Sequence, residues 1–203
     1  MGKTAQQALA SSETEDHGTP IGYVEIARYT LGRIDLDPAS SAYWNHWVVK
    51  AKTFYDERID MLSPKTHLFG TVLLNAPSRA KKKDDPRPAI SVRPFWEKLF
   101  DYWNRGEVES AVYVVFSLNQ LTMLQSSPTH PAQFPMMIPR ERGQFLQRGA
   151  NNGPPTKGEQ PTHGNALVLL PSRDPATARG QMQRFEERSR DLECGGALVR
   201  PWI

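Results

Sequence analysis

The sequence predicts an α/β fold in which strands and helices alternate around one sheet. Residues 110–117 are β-branched, aromatic and apolar on both faces, which is typical of a central parallel strand. Residues 71–74 form a second apolar run, which stops at Asn75. A helical pattern with an apolar face begins at about Pro94, between these two strands. The strand–helix–strand order favours a βαβ unit.

The other elements are predicted from local signals along the chain. Thr19 and Pro20 indicate a helix start, because threonine is a good N-cap and proline fits the first helical position. Gly32 is expected to end this helix. The four prolines within residues 126–139 exclude a regular helix there, and the aromatic-rich stretch 42–55 has no clear type. The remaining predicted strands are residues 33–37, 165–170 and 197–199, and the remaining predicted helices are residues 118–125 and 176–192.

Length and composition predict one domain. The 203 residues, of which 38% are hydrophobic, are enough for a real core. We expect residues 1–18 to form a disordered polar tail, and residues 19–203 to form a single domain with a basic loop at 79–93 and a Gly/Pro-rich loop at 149–164. The single cysteine, Cys194, excludes an intrachain disulfide and fits a reducing cytoplasm. No apolar run reaches the ~20 residues of a membrane helix, and the histidines show no metal-ligand spacing.

The positive charge of the chain is concentrated in one loop. The net charge is +3, and residues 79–93 hold six basic side chains against two acidic ones. Because this loop directly follows the strand at 71–74, we expect it to bind DNA phosphates near a site at that strand end. A solvated charged loop is the alternative interpretation. The candidate DNA-binding side chains in the loop are Arg79, Lys81, Lys82, Lys83 and Arg87.

Two polar side chains are predicted at the carboxyl ends of strands, where open α/β sheets place their ligands. Asp37 ends one strand, and Asn75 follows another and opens the tetrapeptide Asn75-Ala76-Pro77-Ser78. Asn-x-Pro is also a common turn element, and an acid before proline also caps turns. The pattern therefore predicts either a ligand site or two turns at this edge of the sheet.

Four segments of the chain together resemble one known family. In chain order they are Thr19-Pro20, Ile34-Asp35-Leu36-Asp37-Pro38-Ala39-Ser40-Ser41, Phe54-Tyr55-Asp56 with Asp60-Met61-Leu62, and Leu74-Asn75-Ala76-Pro77. This series resembles the phage-type DNA adenine N-6 methyltransferases, or phage Dam family, whose sequences carry a Thr-Pro start, LDPAAS, YYT..DDGL and NPPY or NPPG. Residues 134–142 and 161–166 also resemble segments of that family. The resemblance covers roughly residues 19–172.

The resemblance implies a Rossmann-like sheet of the S-adenosylmethionine-dependent methyltransferase type. It implies that Asp37 shapes the methionine and ribose side of an S-adenosylmethionine pocket, and that Asp60 lies near the adenosine. Thr19 would help to hold the cofactor carboxylate, an anion suited to a helix N-terminus. The implied cofactor-binding residues are Thr19, Pro20, Asp37, Pro38, Ala39 and Asp60.

The resemblance also implies that Asn75-Ala76-Pro77-Ser78 is the catalytic tetrapeptide. In such enzymes the asparagine side chain and the next carbonyl accept hydrogen bonds from the target amine. The nitrogen lone pair then faces the sulfonium methyl, so positioning dominates a direct in-line transfer. Ala76 keeps that carbonyl but lacks the fixed φ of the family's proline. Ser78 stands where the family has a ring that stacks on the base, and a replacement ring would come from Phe95, Trp96 or Phe134.

By the same resemblance, Arg140 and Arg142 would form a wall of the DNA cleft, with a surface salt-bridge cluster as the alternative. The leading hypothesis is a phage- or prophage-encoded enzyme, in the cytoplasm of a bacterial host cell, that transfers a methyl group from S-adenosylmethionine to the exocyclic amine of adenine in DNA. Ala76 and Ser78 favour an alternative, a non-catalytic relative that binds DNA or a host protein. A third hypothesis keeps the cofactor but assigns a different amine as the substrate.

Overall fold

A seven-stranded mixed sheet forms the centre of the protein. The computed structural model describes residues 17–79, 88–158, 163–191 and 196–200. Strands in these ranges are β1 (His17–Gly18), β2 (Leu36–Asp37), β3 (Thr53–Phe54), β4 (Gly70–Leu74), β5 (Val108–Val115), β6 (Met136–Pro139), β7 (Leu146–Gln147), β8 (Thr156–Lys157), β9 (Ala166–Leu170) and β10 (Gly196–Val199). The α-helices are α1 (Ile21–Leu31), α2 (Ala42–Trp44), α3 (Arg93–Asn104), α4 (Asn119–Met123) and α5 (Pro175–Asp191).

The large sheet has the strand order β10-β6-β9-β5-β4-β2-β3. Strands β3, β2, β4 and β5 are parallel, whereas β9 runs antiparallel to both of its neighbours, β5 and β6. Strand β10 closes the other side, antiparallel to β6. The predicted α/β class is confirmed, and the mixed sheet with helices is compatible with a Rossmann-like fold.

Two apolar layers cover the two faces of this sheet. One layer contains α1 and Phe185 of α5, and it packs against Leu73 and Val112. The other contains α3 and packs against Val72 and Tyr113. Successive side chains of a strand point to opposite faces, so β4 and β5 must be apolar at nearly every position. This is why both strands could be predicted from continuous apolar runs.

Several predicted boundaries differ from the structure. The central strand β5 begins and ends two residues before the predicted 110–117, because the chain bends at Phe116 as it leaves the sheet. The stretch 42–55 contains α2, a π-helical turn (Asn45–Val49) and β3. The proline-rich stretch 126–139 lacks an α-helix, as predicted, but it contains β6, which the sequence did not predict.

A small antiparallel sheet, in the order β1-β7-β8, lies beside the large one. Residues 1–16 of the predicted tail lie outside the described residues, but His17 and Gly18 belong to the folded domain because they pair with β7. Gly18 is required here, since a Cβ at this position would lie 2.3 Å from a ring carbon of Trp44. None of the helices in the described ranges is long and apolar enough to cross a membrane.

The predicted N-cap of α1 is wrong by one residue. Pro20 occupies the cap position, with φ −53° and ψ 135°, and no side chain caps the helix. Its carbonyl accepts the N–H groups of Tyr23 and Val24 at 2.9 and 3.2 Å. Thr19 is buried, and its hydroxyl is used by a tertiary partner instead of the helix end.

The amino end of the large sheet is held by a polar cluster. Asp35 Oδ2 accepts hydrogen bonds from the backbone N–H and the hydroxyl of Thr71, both at 3.0 Å. Arg33 Nε donates to the same carboxylate at 2.9 and 3.0 Å. Gly70, with φ +63°, lies so close that a Cβ would meet Asp35 Oδ2 at 2.7 Å. The start of β4 therefore needs a residue without a side chain.

We expect Gly70→Ala to destabilise the fold by about 2–4 kcal/mol, because it combines a left-handed backbone with a clash against Asp35. Gly106→Ala is the matched control: its φ is +80°, and no described atom lies within 4 Å of a Cβ built there. The control should cost only about 1 kcal/mol. Urea denaturation of the two variants checks this, and equal losses would contradict the role of the Asp35 contact.

Candidate functional site

The candidate site lies at one edge of the large sheet. Strands β2, β4 and β5 are parallel, so their carboxyl ends meet at this edge. Strand β9 is antiparallel to β5, so its first residues arrive at the same edge. Asp37, Asn75 and Asn165 are the polar side chains that these strand ends bring there. The fold thus places Asp37 and Asn75, both predicted from sequence, at the ends of two neighbouring strands. This is the edge at which open α/β sheets bind their ligands.

Asn75 is oriented by a hydrogen bond to Thr19, which lies two residues before α1. Its Nδ2 donates to Thr19 Oγ1 at 3.0 Å. This bond fixes the amide plane, and within the described residues Asn75 Oδ1 accepts no hydrogen bond. Asn75 is half-buried at the end of β4, directly after four buried residues. The arrangement leaves an oriented amide oxygen at the site edge as an acceptor for an N–H or O–H donor.

The rest of the tetrapeptide turns toward solvent. Ala76 is buried, whereas Pro77 and Ser78 are exposed. The chain then reaches Arg79, which pairs with Ile90 as an antiparallel bridge with N–H···O distances of 3.0 and 2.9 Å.

The bridge between Arg79 and Ile90 closes the base of the predicted basic loop beside the site. Arg79 Nε also donates to the carbonyl of Pro88 at 2.8 Å. The other candidate DNA-binding side chains of this loop lie outside the described residues: Lys81, Lys82, Lys83 and Arg87.

Asp37 is a buried carboxyl at the end of β2, with 5% of its surface exposed. Burial raises the pKa of Asp37 to about 6, although the Ser40 hydroxyl and the Ala39 N–H both act to lower it. The Ala39 N–H donates to Asp37 Oδ1 at 3.3 Å. Pro38 is buried and Ala39 half-buried, so the turn after Asp37 packs against the core. Such a carboxyl suits a ligand ammonium or hydroxyl that replaces its lost solvation.

Asp60, a predicted cofactor residue, is an exposed turn residue. Its Oδ1 accepts the Leu62 N–H at 2.8 Å, and its carbonyl accepts the Thr66 hydroxyl at 2.7 Å. Among the described residues, no hydrogen bond or ion pair joins Asp60 to Asp37 or Asn75. The structure accounts for Asp60 as a residue that closes its own turn.

Asp56 is the acid that lies closer to the carboxyl end of β3, and the sequence analysis did not select it. The signal was its position about 20 residues after Asp37, the spacing at which Rossmann-like folds place a ribose-binding acid. Its Oδ2 accepts Arg58 Nη2 at 2.6 Å and Nε at 3.0 Å. These hydrogen bonds hold the pKa of Asp56 below its usual value.

Asn165 joins three segments at the site edge, and the sequence analysis treated it only as part of a strand. With 2% of its surface exposed, it accepts the Gly143 N–H on Oδ1 at 2.9 Å and donates from Nδ2 to the carbonyl of Phe116. The segment after β6 is thereby fixed to the end of β5. Arg140 and Arg142 are exposed on this segment, directly before Gly143. Pro161 and Thr162, also part of the family-like stretch, lie outside the described residues.

The aromatic rings considered as replacements for a stacking ring lie in the core. Trp96 is fully buried, and its Nε1 donates to the Thr129 carbonyl at 2.7 Å. Phe134 precedes β6, so it lies at the opposite edge of the sheet, with its ring centroid 5.3 Å from that of Trp103. Phe95 is buried in the same layer. Phe95 and Trp96 belong to the apolar face of α3, which packs large rings against β5, so the structure gives no support for a stacking role of these rings.

No family model, curated protein or solved structure matches this chain.

Asp37 should make the stability of the protein depend on pH in a defined direction. A carboxyl whose pKa is about 6 when folded and about 3.9 when unfolded favours folding fully below pH ~4. This contribution is lost as the pH rises through about 6. Relative to wild type, Asp37→Asn should therefore gain up to about 2–3 kcal/mol of unfolding free energy between pH ~4 and pH ~7. Urea denaturation at several pH values measures this difference.

Asp174→Asn is the control of opposite sign. The Thr177 hydroxyl and N–H hold the pKa of Asp174 below its usual value, so Asp174 stabilises the fold above the unfolded pKa and loses this effect in acid. The stability difference from wild type should then shrink as the pH falls. If the unfolding free energy of Asp37→Asn follows the same pH dependence as that of wild type, Asp37 is not a buried carboxyl that favours its neutral form.

Proposed function

We propose that this protein is an S-adenosylmethionine-dependent methyltransferase that acts on the exocyclic amine of adenine in DNA. The observation that carries the proposal is the orientation of Asn75. Thr19 Oγ1 accepts a hydrogen bond from Asn75 Nδ2, which leaves Asn75 Oδ1, at the carboxyl end of β4, to accept a hydrogen bond from a substrate donor. An exocyclic amine is a donor of this kind.

Asn75 and Ala76 would together position the amine. Its two N–H bonds would be accepted by Asn75 Oδ1 and by the Ala76 carbonyl, which directs the nitrogen lone pair away from the tetrapeptide. When bound, the cofactor would supply a methyl group on a cationic sulfur. Asn75 Oδ1 and the Ala76 carbonyl would hold the amine nitrogen toward that methyl group, and the extra proton of the methylated amine would pass to water. The contribution of the protein to this reaction is mainly orientation.

Residues on the neighbouring strands support a cofactor at the same edge. The buried Asp37 carboxyl suits an ammonium or a ribose hydroxyl. The first turn of α1 begins directly after Thr19 and Pro20, and its N–H groups suit a carboxylate. Asp56 is better placed than Asp60 to take part, since it closely follows β3 at the end of the parallel strands. Together these residues suit the ammonium, carboxylate and ribose groups of S-adenosylmethionine.

Exposed arginines beside this edge support a polyanionic substrate. Arg140 and Arg142 are exposed on the segment that Asn165 fixes to β5. The basic loop opens from the bridge between Arg79 and Ile90, shortly after Asn75. Phosphate contacts from both sides would hold a duplex over the amide oxygen of Asn75.

The exposed Ser78 favours a second candidate, a methyltransferase-like protein without catalytic activity that binds DNA or a host protein. Of the three aromatic residues considered as replacements, Phe95 and Trp96 are buried and Phe134 lies before β6 at the opposite edge of the sheet. Base–aromatic stacking is worth ~1–3 kcal/mol, so its absence would weaken the capture of an extruded base. The same observation is compatible with a cofactor-dependent enzyme for a different amine.

Transfer of tritium from labelled S-adenosylmethionine to unmethylated duplex DNA tests the proposal. Asn75→Ala should abolish transfer while calorimetry shows nearly unchanged cofactor affinity, because its side chain faces the amine. Thr19→Val removes the partner that orients Asn75 and should lower the rate by about 10- to 100-fold. Thr53→Val, on the outer strand β3, is the matched control and should leave the rate unchanged.

The same two measurements separate the candidates. Cofactor binding without transfer to DNA indicates an enzyme for a different amine. Neither binding nor transfer indicates the non-catalytic protein. Transfer that persists in Asn75→Ala would remove the assigned role of the tetrapeptide, even if the protein methylates DNA.

A further inference from the structure

The hairpin formed by β7 and β8 (residues 146–157) is attached directly to the candidate site. Strand β1 pairs with β7, with Gly18 opposite Leu146 and His17 opposite Gln147. The residue after Gly18 is Thr19, whose hydroxyl accepts the hydrogen bond from Asn75. The small sheet therefore ends at the residue directly before Thr19, whose side chain orients Asn75.

Tyr43 fixes the tip of this hairpin. Its hydroxyl accepts the Gly149 N–H and donates to the Gly153 carbonyl, both at 2.8 Å, so it holds the two ends of the tip together. Tyr43 belongs to α2, which begins directly after the turn that follows Asp37. Its ring packs edge-on against Trp44, whose ring in turn contacts Gly18. The tip is thus held in a defined position relative to both Asp37 and Asn75.

The tip presents two amide side chains to solvent. Asn151 and Asn152 are exposed, and both have a left-handed backbone, with φ of 53° and 58°. Asparagine tolerates this conformation better than most residues do. Two consecutive non-glycine residues in it are unusual, and such residues concentrate at functional sites.

The hairpin itself, residues 146–157, carries only positive charge, whereas Glu141 and Glu159 lie near it in the sequence. Residues 142–158 contain Arg142, Arg148 and Lys157 and no acidic side chain. Arg148 lies over the Tyr43 ring at 4.4 Å and donates to Asn152 Oδ1 at 3.3 Å. Lys157 is exposed on β8. A polyanion is the complementary partner for this surface.

We propose that the β7–β8 hairpin is the element that reads DNA sequence, with Asn151 and Asn152 contacting base edges and Lys157 contacting a phosphate. The choice of DNA as partner rests on the proposed function. The major groove admits a two-stranded β-ribbon, and asparagine amides pair with adenine there. Because Tyr43 ties the tip to the site edge, a base pair read by the tip sets which neighbouring base lies over Asn75.

The test removes the two amides without changing the backbone. Glycine adopts positive φ freely, so Asn151→Gly with Asn152→Gly retains the turn and deletes only the side chains. Wild-type protein selects a preferred duplex from a randomised pool, and fluorescence anisotropy then compares that duplex with a scrambled one of equal composition. The double variant should lose about tenfold of this discrimination, with nearly unchanged binding to the scrambled duplex.

Lys157→Gln separates phosphate contact from base reading. It should weaken binding to both duplexes equally and make the log–log salt slope shallower by about 0.9. Lys52→Gln, an exposed lysine before β3, is the charge-matched control and should change neither quantity. Circular dichroism confirms that each variant folds, and single Asn151→Gly replaces the double variant if the latter does not.

Unchanged discrimination in the glycine variant would overturn the inference, since the asparagines would then serve only the turn. A wild-type protein with no sequence preference, or with no affinity for duplex DNA, would overturn it as well. These measurements use no cofactor. A protein that discriminates through the tip but transfers no methyl group would therefore contradict the proposed function and leave the hairpin inference standing.

Discussion

The burial of β4 and β5 on both faces is the constraint on which the rest of the structure depends. Side chains from Val72 to Leu74 and from Ala111 to Val115 are almost fully buried, and they alternate between the α1–α5 layer and the α3 layer. Neither strand can carry a polar group in its interior without a costly desolvation. Ser110 and Tyr113 are polar residues buried within β5, but the polar side chains of the candidate site lie at strand ends. The mixed topology brings the ends of β2, β4 and β5 and the start of β9 to one edge.

The elements that could be predicted from sequence are those whose burial is uniform. Continuous apolar runs identified β4 and β5, and the apolar face of the helix between them identified α3. Strand β6 was missed because it is short and follows a proline-rich stretch, and its pairing with β9 is a tertiary property. The π-helical turn after α2 has no pattern of its own, since its residues follow the packing of Val48 and Val49.

Residues of the candidate site could be predicted only where they directly follow a strand that is recognisable from the sequence. Asp37 and Asn75 were identified because each follows an apolar run. The partner of Asn75 could not be predicted, since Thr19 has the local pattern of a helix cap and lies 56 residues from Asn75 along the chain. Asn165 depends on the same kind of long-range contact, through Gly143 and Phe116. The rings of Phe95 and Trp96 on α3 were considered as ligand-stacking groups, but the structure buries them in the core. Sequence alone does not separate the two roles, because large aromatic side chains suit a core as well as a ligand.

The position of β9 between β5 and β6 also affects the order in which the chain folds during synthesis. Strands β4 and β5 with α3 are contiguous in sequence, so this unit has short-range contacts and can form early. Strand β9 reaches β5 only after residues 116–165 have been looped out, and loop-closure entropy delays this pairing. During synthesis, one side of β5 is left without its partner until residues 166–170 emerge, and an apolar strand with a free edge is prone to pair with other chains. The strand that completes the site edge is thus also the one that protects the nascent core from aggregation.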